Sequence, residues 1–154
     1  MTDVFLSYGR EDRERASVLA AALEGQGWSV WWDRKIVAGD TFDETIEDQL
    51  STAKSVVVLW SEHSVGSEWV RNEAGVASER DVLVPVLLDE VKLPLEFRRR
   101  QTVDLTRWKG DASDREFQGL VEGIAARTRT PVKRRVVPPV IDRAWHRVRA
   151  MRGR

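Results

Sequence analysis

The sequence predicts an open α/β domain, with five parallel strands in one sheet and helices on both faces. Three observations predict it. Short apolar runs alternate with stretches of helical spacing along residues 3–126, and that alternation implies right-handed βαβ crossovers. Two of the runs, Ser55–Trp60 and Val82–Leu88, are apolar on both faces, as the central strands of a parallel sheet are. The length of 154 residues suits one ordinary domain around one core. Strand order does not follow from the pattern alone; 2-1-3-4-5 is the common five-stranded solution.

The elements follow in order. Val4, Phe5 and Leu6 form a short strand that ends at Ser7, Tyr8 and Gly9. Residues 11–25 carry Ala16, Leu19, Ala20 and Leu23 at helical spacing, and Gly25 and Gly27 end that helix. Trp28–Trp32 is the second strand. Residues 38–40 turn the chain, and Asp40 or Thr41 caps a helix bearing Phe42, Ile46 and Leu50. After the third strand, residues 67–79 form a helix with Trp69, Val70, Ala74 and Ala77. Pro85 is a mild objection to the fourth strand, because proline removes one ladder hydrogen bond. Residues 102–105 make a short fifth strand, and residues 113–126 a last helix with Phe117, Leu120, Val121 and Ile124.

The pattern stops after residue 127. Residues 128–139 read as a basic linker with three prolines, Pro131, Pro138 and Pro139. Residues 140–154 read as a basic amphipathic helix, with Ile141, Trp145 and Val148 on its apolar stripe, or as a leader to a missing segment. Charge is divided the same way. Ten of the 25 Lys/Arg and one of the 25 Asp/Glu fall in residues 127–154, so the tail is +9 and residues 1–126 are −9. The body repels nucleic-acid phosphates, and no nucleic-acid partner is expected. The tail is expected to contact a membrane surface, to dock on the body, or to lead into a missing domain. The prolines favour a connector.

Cysteine is absent, which removes disulfide and thiolate chemistry and fits a reducing, cytoplasmic compartment. No secretory leader pattern opens the chain. No apolar run approaches the roughly 18 residues that span a bilayer. His63 and His146 lie far apart in sequence, so no zinc site is expected.

Ligands of open parallel sheets bind beyond the carboxyl ends of the strands. The segments delivered there are Tyr8–Arg10, Asp33–Gly39, Ser61–Trp69 and Asp89–Glu90. No Gly-rich phosphate loop is present, and Gly9 stands alone after strand 1. Strand 3 closes with Trp60 and Ser61, not the aspartate a phospho-receiver requires. No nucleophile elbow occurs. What remains is Trp69 and Glu73, four residues apart and therefore on one helical face. Spacing leaves two readings: an indole and a carboxylate beside a bound ring and its sugar, or a core tryptophan and a solvated glutamate.

At these residues the chain resembles the Toll/interleukin-1 receptor (TIR) domain over residues 3–126. Asp3–Asp12 (DVFLSYGRED) resembles the first strand of the family and the acidic start of its first helix. Trp31–Asp33 through Ala38–Asp40 resembles its second strand and mobile BB loop. Ser67–Glu73 (SEWVRNE) is similar to its Ser-x-Trp-x-x-x-Glu segment, and residues 93–105 to the approach to its fifth strand. The flavour is bacterial. The resemblance implies a flavodoxin-like fold and two uses: assembly with other TIR domains, or cleavage of NAD at the nicotinamide–ribose bond by the glutamate that falls at Glu73.

By that resemblance NAD is a substrate and no cofactor is needed. Glu73 is the expected catalytic residue and Trp69 stacks on the substrate. Tyr8, Gly9 and Arg10 line the floor, and Asp33, Arg34, Lys35 and Ile36 approach from the loop. Arg10, Arg34 or Lys35 can hold the pyrophosphate. Ser67 either touches substrate or, more simply, caps its helix. One carboxylate is enough, because nicotinamide leaves a cationic pyridinium as a neutral ring, whereas glycosides need an acid for their leaving oxygen. Other TIR domains, in a homo-oligomer or filament, are the expected partners, with a role in signalling or bacterial defence. The alternative is a non-catalytic adaptor. A nucleoside deoxyribosyltransferase is disfavoured, since the further acids around its sugar cannot be placed.

Overall fold

The computed structural model describes residues 2–33 and 42–128. The elements are β1 (Val4–Ser7), α1 (Arg13–Glu24), β2 (Val30–Trp31), α2 (Phe42–Thr52), β3 (Ser55–Trp60), α3 (Glu68–Glu79), β4 (Leu83–Leu87), β5 (Val103–Asp104) and α4 (Arg115–Thr128). Single 3-10 turns at Arg10–Asp12 and Leu95–Phe97 complete them. All strand pairs are parallel, and the order is β2-β1-β3-β4-β5, the common five-stranded solution.

Strand alternation divides the core into two layers. Val4, Leu6, Val57, Leu59, Val84 and Val86 face α1 and α4, where Leu19, Leu23, Phe117, Leu120 and Ile124 meet them. Phe5, Val56, Val58, Trp60 and Leu83 face α2 and α3, against Ile46, Leu50, Val70, Ala74 and Ala77. The six residues of β3 are buried without exception, which a strand covered by helices on both sides requires.

The ends of β5 and α4 shift by one or two residues from the sequence reading, and four further details differ. The first helix opens as a 3-10 turn, Arg10–Asp12, before α1 begins at Arg13. The second strand is two residues long instead of Trp28–Trp32. Trp28 turns into the α1/α4 layer, and the carbonyl of Trp32 leaves the ladder to accept the Tyr8 hydroxyl at 2.7 Å. Thr128, expected to start the linker, is the buried last residue of α4, its hydroxyl donating to the Ala125 carbonyl. Pro85 sits mid-strand without cost. Val82 and Leu88 hydrogen-bond toward β3, so even positions of β4 face β3 and Pro85 turns its missing donor toward β5. The β5 ladder begins only at Val86, opposite Val103. The cap expected at Asp40 or Thr41 and the tail helix lie outside the described residues.

Candidate active site

Three loops meet at the carboxyl edge of the central strands. β1 ends at Ser7, followed by Tyr8 and Gly9 and the turn into α1. β3 ends at Trp60 and enters a tight turn built from its own serines. Ser64 Oγ donates to the Leu59 carbonyl at 2.7 Å and accepts from the Ser61 amide at 2.8 Å. Ser61 Oγ accepts from the amides of His63 and Ser64, both at 3.1 Å. This turn hands the chain to α3, whose N-cap is Ser67, accepting from the Val70 amide at 3.2 Å.

A charged network ties these loops together. Asp12, 1% exposed, accepts from the Ser61 hydroxyl and from Arg15. Arg15 also donates to Asp89, just past β4, at 2.8 and 3.2 Å. Asp89 accepts from the Glu62 amide at 2.9 Å. The bond from Arg15 outweighs burial and holds the Asp89 carboxyl below its ordinary range. The ends of β1, β3 and β4 are thus bonded to one another through two carboxylates and one guanidinium.

Above this frame lies a cavity of about 710 Å³, lined by Tyr8, Gly9, Arg10, Glu11, Arg13, His63, Ser67 and Trp69. That is in the range of small-molecule sites. Five of the expected residues, Tyr8, Gly9, Arg10, Ser67 and Trp69, meet there. Tyr8 presents its ring, its hydroxyl being engaged by Trp32. Gly9 has φ −76°, a conformation open to any residue. Trp69 is 41% exposed, so it is not a core residue. Glu73 is the reverse of a solvated helix residue: it is 3% exposed and accepts a 2.7 Å bond from the buried Ser7 hydroxyl. It lies one helical turn from Trp69 on α3 and is not among the residues that line the cavity.

Asp33 is not in the wall either; it pairs with Arg13 at 3.2 Å. That bond and charge keep the Arg13 guanidinium above its ordinary pKa. Arg34, Lys35 and Ile36 lie outside the described residues. Sequence reasoning missed Glu11, Arg13 and His63. His63 sat within a segment the carboxyl-edge rule had selected. Glu11 and Arg13 needed only a continuation of the first loop into the first turn of helix.

The family profile and the solved structures agree with this architecture. The family profile of the TIR domain matches residues 4–121, more than half of the chain, and the chain belongs to that family. The TIR domain of the Toll-related receptor TRR-2 from Hydra magnipapillata superposes with a TM-score of 0.70 at 21% identity, covering 80% of this chain and 98% of that one. A metazoan TIR-STING receptor from C. gigas, in complex with 2',3'-cGAMP, superposes with a TM-score of 0.65 at 25% identity, covering 80% of this chain and 39% of the receptor. In sequence, the chain is also similar to the chaperone protein HscA of Proteus mirabilis (strain HI4320), 25% identical over 141 residues. That match covers 82% of this chain and 22% of the chaperone's length. Among the described residues, no helix is long and apolar enough to cross a membrane.

Proposed function

We propose that this TIR domain is an NAD glycohydrolase that breaks the nicotinamide–ribose bond, giving ADP-ribose or a cyclic isomer. The observation that carries the reading is Trp69, a large exposed indole on the wall of the cavity, with the anchored carboxylate of Glu73 one turn further along α3. A flat ring stacked on Trp69 sets its ribose toward Glu73. As the pyridinium leaves as neutral nicotinamide, positive charge develops on the ribose. A carboxylate held by Ser7 stabilises that charge without reorganising. Tyr8, Gly9 and Arg10 form the floor, and Ser67 holds the start of α3 rather than the substrate. Assembly with other copies completes the site, since an open cavity excludes water poorly. The placement of the domain in signalling or bacterial defence, in the cytoplasm, belongs to this reading. The basic, Pro-containing stretch up to residue 139 is its linker to residues 140–154, a basic amphipathic helix or leader.

A second reading, a non-catalytic interaction module, draws support from the same pair. A buried glutamate bonded to a buried serine is also what a purely structural contact looks like. Incubation with NAD over a range of protein concentrations separates the two. Nicotinamide release should rise faster than protein concentration. Glu73→Gln should lower it by a factor of 100 or more, a loss of about 3 kcal/mol of transition-state stabilisation, with the thermal melt still cooperative. Full activity in the folded variant, or no release from an assembled wild type, would overturn the enzymatic reading.

A further inference from the structure

We infer that Arg13 is the residue by which the cavity recognises a diphosphate, with Asp33 as its resting counter-ion; the substrate it implies, a dinucleotide, rests on the reading above. Arg13 lines the cavity. It is also the first residue of α1, a helix of 12 residues, so its guanidinium works at the end where aligned peptide dipoles favour anions.

Its present contacts are ones that exchange easily. Nη2 meets Asp33 Oδ1 at 3.2 Å, with both side chains partly exposed. The guanidinium carbon stands 5.1 Å from the centroid of the Trp32 ring. An exposed ion pair of this kind contributes little on its own. A diphosphate brings more charge than one carboxylate, and its paired oxygens match the planar fork of an arginine. Asp33 meanwhile keeps the guanidinium aimed while no ligand is bound. Arg10 lines the same cavity and can share the diphosphate with Arg13; Arg15, two residues later, does not, because Asp12, Asp89 and the Leu88 carbonyl already occupy it.

The consequence is selectivity. A substrate with a diphosphate gains the Arg13 contact, and nicotinamide riboside, which has no phosphate, does not. The test compares wild type, Arg13→Gln and Asp33→Asn. It reads kcat and KM for NAD and for nicotinamide riboside, and separately the Kd for ADP-ribose by calorimetry, which needs no turnover. Arg13→Gln should raise KM for NAD and Kd for ADP-ribose on the order of tenfold. Its kcat should stay within about twofold, and riboside kinetics should hold. Asp33→Asn should move both constants the other way, because it releases Arg13. If Asp33→Asn weakens binding as Arg13→Gln does, Arg13 merely anchors the end of β2 and the inference is wrong. Equal losses with the riboside, or no change with NAD, also overturn it. If Arg13 governs ADP-ribose binding but no variant or wild type releases nicotinamide, the recognition stands and the hydrolytic reading falls.

Discussion

Arg13 and Arg15 leave the same turn of α1 and enter opposite surroundings. Arg15 closes the sealed side of the carboxyl edge, where two carboxylates, a serine hydroxyl and two backbone groups take up its charge and that of its partners. Arg13 stands on the open side, against one partly exposed carboxylate, the face of an indole and the Tyr8 side chain. The sealed side fixes where three loops sit relative to the sheet. On the inference above, the open side trades its contact for a ligand's. One edge then serves as scaffold on one side and as the inferred diphosphate contact on the other, two residues of helix apart.

The contrast can be broken most severely at Asp12. Asp12→Ala removes the carboxylate that accepts the proton of the buried Ser61 hydroxyl and one of the two carboxylates paired with Arg15, and should cost about 2–3 kcal/mol. That is a fall in Tm of roughly 6–12 °C for a domain this size, read by calorimetry or circular dichroism. A fall of less than about 3 °C would mean that the network is ornamental.

Arg15→Gln should cost less, about 1 kcal/mol, because the side chain is partly exposed. Its pH dependence is the sharper readout. Arg15 depresses the Asp89 carboxyl below its ordinary 3.8. A carboxyl depressed in the folded state adds stability that is present above the unfolded value and lost as pH falls through the folded one. The gap between wild type and Arg15→Gln, measured by urea unfolding, should be full at neutral pH and narrow below 3.8. A gap that widens on acidification would reverse the assignment.

The smallest effect belongs to the open side. Arg13→Gln and Asp33→Asn should each leave Tm within about 2 °C of wild type, whatever they do to ligand binding. A larger drop would place Arg13 in the scaffold and dissolve the contrast.

Much of the fold was legible because burial on both faces of a strand leaves a simple mark. The uninterrupted apolar run of Ser55–Trp60 gave β3 to the residue, and the stripe Phe117, Leu120, Val121 and Ile124 gave the buried face of α4. Trp28–Trp32 was less legible, since an apolar run at a sheet edge can serve packing and loop anchoring as well as pairing. The candidate site was half legible. Helical spacing put Trp69 and Glu73 on neighbouring turns but could not tell which of them faces solvent. Their exposures came out opposite to the plainest expectation. The bond between Ser7 and Glu73 joins residues 66 positions apart, and no local pattern announces it. The Asp12–Arg15–Asp89 network is hidden for the same reason: an acidic first turn looks like ordinary solvated helix until the fold brings strand ends beside it.

Both margins of the sheet are two-residue strands, Val30–Trp31 and Val103–Asp104. A foreign strand aligning with either margin would find only a couple of backbone donors and acceptors to satisfy, too few to hold it. Templated cross-strand growth is thereby denied a starting row. On the reading proposed above, copies of this domain come together through their helices and loops rather than by adding strand to strand.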